Sequence, residues 1–179
     1  CYLSQNKFEP PFLEQKETTI TVKEKEHAKL LLVGDLMFDR GIRYYADKNG
    51  GNLFIFDKIS TILKSNDLVV ANLEGPITDN KSVSINTIPE SRNNYFFTFD
   101  PSLAATLYDK NIKIVNLGNN HILNFGRQGL ASTKNYLDNA NVDYFGPPDY
   151  PKSISAEIKK IKITFINYNE FADLPQDIN

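Results

Sequence analysis

Three apolar runs of strand length divide the chain, and polar side chains follow each of them directly. The runs cover residues 29–33, 67–71 and 112–117, and they are mostly apolar rather than alternating between apolar and polar positions. Continuous apolar strands are typical of a parallel sheet that is covered on both faces. The pattern therefore predicts three buried parallel strands.

Helical patterns lie between and after these runs. Residues 52–64 place apolar side chains at helical spacing between the first two runs. A second helix is predicted to start at Asp100-Pro101, with the aspartate as N-cap and the proline at the first helical position. A third is predicted over 127–139. Strands that alternate with helices predict right-handed crossovers in an α/β fold.

The rest of the pattern adds a short strand, a hairpin and a loop. A strand is predicted around 142–145, and residues 154–158 and 161–165 alternate on either side of a two-lysine turn, as in a β-hairpin. Residues 79–94 are rich in Ser, Asn and Lys without sustained periodicity, which predicts an exposed loop.

Composition narrows the class of protein. With 179 residues, of which 41% are hydrophobic, the chain can bury a sizeable core and most simply forms one domain. The net charge is −2 and lysines are interspersed with acids, so no nucleic-acid partner is expected. The apolar runs are far too short to span a bilayer.

The composition of the first residues is typical of a flexible tether that precedes a folded domain. Cys1 is the one cysteine, which excludes a disulfide framework within the chain, and a polar stretch follows it. We expect a tether over 1–28 and an α/β domain over 29–179. Two interpretations stay open: a mature lipoprotein whose Cys1 carries lipid, or a fragment that starts at this cysteine. Residues 18–22 are predicted to add an edge strand.

The polar clusters after the runs are Gly34-Asp35, Asn72 with Glu74, and Asn119-Asn120-His121. The carboxyl ends of parallel strands meet at one edge of a sheet, so these side chains are predicted to converge. Carboxylates and amides can hold a divalent cation, and the imidazole is left for proton transfer.

Each group also fits a structural role when it is taken alone. Asp35 fits a turn or a helix cap, and Asn72 and Glu74 fit a loop in which they satisfy backbone groups. Arg40 and Arg43, which follow the first cluster, can bind phosphate or carboxylate through paired hydrogen bonds, or lie on a solvated helix face. Only the convergence of all three clusters favours a functional site.

Four motifs together resemble a known family. They are 34–41 (Gly-Asp-Leu-Met-Phe-Asp-Arg-Gly), 72–76 (Asn-Leu-Glu-Gly-Pro), 119–121 (Asn-Asn-His) and 126–130 (Gly-x-x-Gly-Leu). In this order they resemble the bacterial capsule-synthesis family of the CapA type (PGA_cap), which is linked to poly-γ-glutamate production. The resemblance implies a layered α/β sheet sandwich with flanking helices, akin to calcineurin-like metallophosphoesterases. It further implies that this chain is the N-terminal part of the complete domain.

The resemblance also implies roles. Asp35, Glu74 and Asn120 would be ligands of a divalent metal ion (Mn, Fe, Zn or Mg), and His121 would protonate a leaving oxygen or orient the attacking water. By the same resemblance, Arg40, Asn72 and Asn119 would line the site and bind substrate. Arg43 is a fourth candidate for substrate binding, from its position after the first cluster rather than from the resemblance.

Two departures from the family pattern matter. The family commonly has Asp three residues after the histidine, where this chain has Asn124, so the orientation of His121 is open. No histidine follows His121, and the other histidine is His27 in the tether. We therefore expect an incomplete metal site that belongs to a longer protein.

Two functions of different classes follow. In the first, the chain is an enzyme of the cell envelope, a metal-dependent hydrolase or transferase that acts on phosphoester or polymer-linked substrates. In the second, it is a non-catalytic envelope protein that binds or helps to export an anionic polymer such as poly-γ-glutamate. A membrane synthase complex is the protein partner considered for both.

Overall fold

A four-stranded parallel sheet forms the centre of the computed structural model, which describes residues 27–149 and 151–169. The sheet order is β1-β2-β3-β4, and every neighbouring pair is parallel. The predicted strands are confirmed, although β1 continues three residues beyond the apolar run. The strands are β1 (Leu30–Leu36), β2 (Leu68–Leu73), β3 (Ile112–Asn116) and β4 (Asp143–Phe145). Residues 1–26 of the predicted tether, which include the edge strand predicted over 18–22, lie outside the described residues.

Within the described residues, five α-helices connect and follow these strands. They are α1 (Arg40–Lys48), α2 (Leu53–Phe56), α3 (Ser60–Lys64), α4 (Ser102–Asp109) and α5 (Gly126–Asn139). The helices predicted after Asp100 and over 127–139 are confirmed, and Asp100 Oδ1 accepts a hydrogen bond from Ser102 N at the start of α4. None of the described helices has the length and apolarity needed to cross a membrane.

The single helix predicted over 52–64 is wrong, because two short helices, α2 and α3, occupy this segment. Between them, Asp57 N donates to Phe54 O and Ile59 N donates to Phe56 O, and both hydrogen bonds span three residues rather than four. This tighter winding interrupts the α-helical ladder. Phe56 and Leu63 are nevertheless both buried, so the apolar spacing correctly predicted which side chains enter the core.

The sheet separates two apolar layers. On one face the helices bury Val69, Leu73 and Val115 of the sheet. On the other face lies the predicted hairpin, which is confirmed as β5 (Ser153–Ile158) and β6 (Ile161–Ile166). Helices, parallel sheet and hairpin thus form the layered α/β sandwich that was predicted. The hairpin face is lined by Leu68, Val70, Ile114 and Phe145, against which Ile154 and Phe165 pack.

Strand β1 is not covered on both faces along its whole length. Leu32 is 63% exposed, although it lies in the middle of an apolar run. Its register partner on β2 is Val70, which the hairpin layer buries. Strand β1 is the edge of the described sheet, so apolar sequence alone overestimated its burial.

Irregular register aligns three polar side chains in one row across the sheet. Leu32 pairs with Val70 but Asp35 pairs with Asn72, so β1 contains one more residue than β2 in this interval. A similar shift between β2 and β3 places Asn116 opposite Asn72. Because side chains alternate between faces with a period of two, each extra residue turns the following side chains to the other face. Asp35, Asn72 and Asn116 therefore meet at the carboxyl end of the sheet.

The predicted loop over 79–94 is largely exposed and irregular, apart from a 3-10 turn at Arg92–Tyr95. It is anchored by Asp39, which precedes α1 and is fully buried. Asp39 Oδ1 accepts hydrogen bonds from Ser82 Oγ (2.5 Å) and from the backbone N–H of Arg40 (2.9 Å), and Oδ2 accepts one from Thr98 N (2.9 Å). One carboxylate thus joins the start of α1 to Ser82 in the loop and to Thr98 in the segment that follows the loop.

Candidate functional site

Two carboxylates share one amide nitrogen at the carboxyl end of the sheet. Asn72 Nδ2 donates to Asp35 Oδ1 at 2.8 Å and to Glu74 Oε2 at 2.5 Å. Asp35 and Asn72 are register partners at the ends of β1 and β2, and Glu74 is the first residue after β2. The structure thus brings the first two predicted clusters into direct contact.

Backbone groups fix the orientation of the Asn72 amide. Asn119 Nδ2 donates to Leu73 O (2.8 Å) and to Asn72 Oδ1 (3.0 Å), and Asn116 Nδ2 donates to the same Asn72 oxygen (2.9 Å). Since a carbonyl oxygen only accepts, Leu73 O determines that Asn119 presents its nitrogen to this side. Asn116 is fixed in turn, because its Oδ1 accepts from Gly118 N (3.1 Å). Asn72 therefore directs its oxygen to the amides and its nitrogen to the carboxylates.

The surroundings of the carboxylate pair disfavour the negatively charged form of Glu74. Burial raises the pKa of Glu74, and the nearby Asp35 carboxylate raises it further. The hydrogen bond from Asn72 and the proximity of His121 act in the opposite direction, but they do not reverse the rise in the Glu74 pKa. A like-charged pair that lacks full compensation is an arrangement that a cation stabilises.

His121 lies beside this pair and is oriented by its neighbours. Its Nε2 is 3.9 Å from Glu74 Oε1, and its Nδ1 is 3.2 Å from Asn124 Oδ1. Its backbone N–H donates to Asn119 Oδ1 (3.1 Å), and its ring packs on Phe97 with 4.3 Å between the ring centroids. The side chains of His121 and Glu74 are only 15% and 16% exposed. The third predicted cluster thus joins the first two through His121 and Asn119.

Arg40 lies on the rim of the site. Its guanidinium carbon is 4.6 Å from the centroid of Phe97, the ring that also contacts His121, and 5.3 Å from that of Tyr95. Its Nε donates to Asn94 O at 2.6 Å. Its φ of +53° lies in the left-handed region, which is uncommon for a residue with a side chain and is often found at functional sites. Cation–π contact and this backbone geometry hold the guanidinium in place.

Two predicted residues are not part of this network. Asn120 is exposed, and Arg43 is half-buried one turn into α1; neither side chain hydrogen-bonds to the other candidate residues among those described. Within residues 27–149 and 151–169, no group of three His, Cys, Asp or Glu side chains is close enough together to hold a metal ion. The described part of the chain therefore offers a carboxylate pair rather than a complete ligand set.

Comparison with known proteins assigns the family. The family described as "Bacterial capsule synthesis protein PGA_cap" matches residues 29–178, which is most of the chain. The chain belongs to this family. The mixed α/β fold, with its four-stranded parallel sheet flanked by helices, is consistent with part of a metallophosphoesterase-like domain.

Two similar relatives of this PGA_cap chain come from Bacillus. The "Capsule biosynthesis protein CapA" of Bacillus anthracis is 25% identical over 147 residues, which cover 80% of this chain and 34% of the relative. The "PGA biosynthesis protein CapA" of Bacillus subtilis (strain 168) is 27% identical over 135 residues, which cover 75% of this chain and 33% of the relative. The chain thus spans about a third of the length of these relatives.

Sequence reasoning missed two asparagines of this PGA_cap site. Asn116 ends β3 and supports Asn72, while Asn167 follows β6 and its Nδ2 donates to Gly118 O at 3.1 Å. Asn167 and Gly146 pack so closely on Gly118 that a side chain there would overlap both. Asn116 is the last residue of β3 and Asn167 is the first residue after β6, so a polar residue at the end of an apolar segment was the signal available.

Proposed function

We propose that this chain acts in the synthesis of a bacterial capsule polymer such as poly-γ-glutamate, as part of a metal-dependent hydrolase or transferase of the cell envelope. The names of the two CapA relatives support the capsule context. The observation that supports metal chemistry is the Asp35–Glu74 pair on one Asn72 nitrogen, together with the raised pKa of Glu74. A divalent cation would replace repulsion between these carboxylates by attraction to both.

The donors that are present fit a hard or borderline divalent cation in part. Asp35 and Glu74 would each supply a carboxylate oxygen, and the amide oxygen of the exposed Asn120 is the third ligand that we propose. Asn72 would hold the two carboxylates rather than bind the ion, since its nitrogen faces them. When bound, the cation supplies Lewis-acid polarisation of a phosphoryl or carbonyl oxygen.

The side chains around the carboxylate pair would transfer protons, bind the substrate and hold the site in place. His121 Nε2, which faces Glu74, would accept or deliver the proton of a reacting oxygen. Arg40 would bind an anionic group of the substrate, because its guanidinium lies on the rim over Phe97. Asn119 would hold His121 in place relative to the carboxylate pair, since it hydrogen-bonds to Asn72, Leu73 and the His121 backbone. A lipid on Cys1 and a membrane synthase partner are further parts of this proposal.

The first experiment measures manganese affinity of the full chain and of Asp35→Asn by calorimetry. We expect the variant to bind at least about tenfold more weakly, which is about 1.4 kcal/mol. Asp67→Asn is the matched control, because Asp67 is a surface carboxylate that pairs with Lys159 at 2.9 Å and takes no part in the site. Equal affinity of the parent and Asp35→Asn would contradict the ligand assignment.

The same preparations test the non-catalytic alternative. If the chain binds no manganese but retains poly-γ-glutamate, and Arg40→Gln weakens that retention while Arg127→Gln on the exposed start of α5 does not, polymer binding replaces metal chemistry as the function. Metal binding that is lost in Asp35→Asn favours the enzyme and justifies a screen of phosphoester substrates.

A further inference from the structure

Asn124 accepts a backbone hydrogen bond that identifies which of its side-chain atoms faces the site. The N–H of Phe97 lies 2.8 Å from Asn124 Oδ1. A backbone N–H only donates, so the atom at this position is the amide oxygen and the amide cannot be turned round without losing the bond. The Asn124 side chain thus presents an oxygen at a position that the backbone of another segment determines.

The same oxygen faces the ring of His121. Asn124 Oδ1 is 3.2 Å from His121 Nδ1. An amide oxygen carries no hydrogen, so a hydrogen bond between these atoms requires the proton to be on Nδ1. We propose that Asn124 is a positioning residue, which holds neutral His121 in the tautomer with hydrogen on Nδ1 and directs the lone pair of Nε2 toward Glu74.

This tautomer restricts what His121 can do, and the consequence rests on the proposed function. Nε2 is 3.9 Å from Glu74 Oε1, and the side chains of His121 and Glu74 are about equally buried. With Nδ1 as donor, neutral His121 offers Nε2 as a proton acceptor or as a metal donor. It becomes a proton donor toward the site only after it has taken up a second proton. His121 would therefore act first as a base, and as an acid only in its cationic form.

The amide at position 124 also has an electrostatic consequence. Asp35 and Glu74 already place two carboxylates on one nitrogen, and Asn124 is on the opposite side of the imidazole from Glu74. An aspartate at this position would accept the same two hydrogen bonds but add a third negative charge to the cluster. Asparagine thus fixes the ring without adding charge.

Nitrogen-15 NMR of the imidazole tests this proposal. The chain has two histidines, so His27→Gln leaves His121 as the one imidazole. In the presence of a chelator and at about pH 9, where imidazoles in general are neutral, the shift of each ring nitrogen reports whether it carries hydrogen. We expect Nδ1 to be protonated, whereas a free imidazole side chain in water favours Nε2.

Three variants of this single-histidine chain complete the test. Asn124→Asp keeps an acceptor and should retain hydrogen on Nδ1, while Asn124→Leu should shift it to Nε2. Asn135→Leu, the same change at an exposed position of α5, should alter nothing. A parent ring with hydrogen on Nε2, or an Asn124→Leu ring that keeps it on Nδ1, would overturn the proposal. The readout involves no metal, so a chain that fails to bind manganese would disprove the proposed function and leave this inference standing.

Discussion

A single aspartate, Asp39, and the carboxylate pair of Asp35 and Glu74 are hydrogen-bonded in opposite ways. Asp39 is fully buried, and its two oxygens accept three hydrogen bonds from donors that have no negative charge. At the end of the sheet Asp35 is exposed and Glu74 is half-buried, yet the two carboxylates share one nitrogen and the pKa of Glu74 is raised. The more buried carboxylate is the better compensated one.

This difference indicates that Asp39 has a structural role and that Asp35 and Glu74 are candidates for ligand binding. A buried carboxylate with every oxygen satisfied holds the loop over 79–94 and has nothing left with which to bind a ligand. A pair of carboxylates that repel each other gains stability when a cation arrives. Depth of burial alone would have selected Asp39 as the site; the balance of charges and donors selects Asp35 and Glu74.

The largest expected effect on stability comes from breaking the hydrogen bonds of Asp39. Asp39→Asn places an amide nitrogen where one of the acceptors stood, so a buried donor faces another donor. We expect a loss of about 2–4 kcal/mol in the free energy of unfolding, measured by urea denaturation. Asp35→Asn keeps its acceptor toward Asn72 and removes repulsion, so its change should stay within about 0.5 kcal/mol or be stabilising. Equal losses in both variants would abolish the distinction.

A smaller effect is expected in the pH dependence of stability, and it tests the Asp35–Glu74 pair. Below the ordinary pKa of 4.5, Glu74 is protonated in the folded and unfolded chains alike and does not lower the free energy of unfolding. As pH rises past that value the unfolded chain releases its proton first, so the metal-free folded chain loses stability until the raised native pKa is passed. Glu74→Gln should remove this loss.

The measurement is the unfolding free energy of parent and Glu74→Gln in chelator, from about pH 4 to about pH 8. We expect the two curves to diverge with rising pH, with the variant the more stable, and saturating manganese to stabilise only the parent. Glu157→Gln, at an exposed position of β5, serves as the control. Curves that stay parallel would show that Glu74 bears no net electrostatic penalty.

The smallest effect belongs to a third kind of acid, exposed and paired. The hydrogen bond from Lys159, followed by that from Lys29 N, lowers the pKa of Asp67 from its ordinary 3.8. Its contribution is therefore present above that value and is lost as pH falls through the lowered pKa. Asp67→Asn should cost little in dilute buffer and nothing in about 1 M salt, because exposed pairs are screened. A loss that persists in salt would contradict this.

Local pattern was sufficient for most of the fold. Strand-length apolar runs located β1, β2 and β3, the Asp100-Pro101 pair located the start of α4, and alternation on either side of Lys159-Lys160 located the hairpin. These signals work because side-chain periodicity is a property of neighbouring residues. Parallel strand order then brought polar residues from three strand ends to one edge, as expected for such sheets.

The sequence by itself determined which strand ends and which polar clusters reach that edge, and only the tertiary structure decided which of their side chains meet and how they face one another. No local signal showed that one extra residue in β1 would turn Asp35 toward Asn72, that Leu73 O would orient Asn119, or that Phe97 N would orient Asn124. Each depends on a hydrogen bond or register between segments distant along the chain. Side-chain direction has a period of two, so a single extra residue that periodicity cannot detect moves a carboxylate from one face of the sheet to the other.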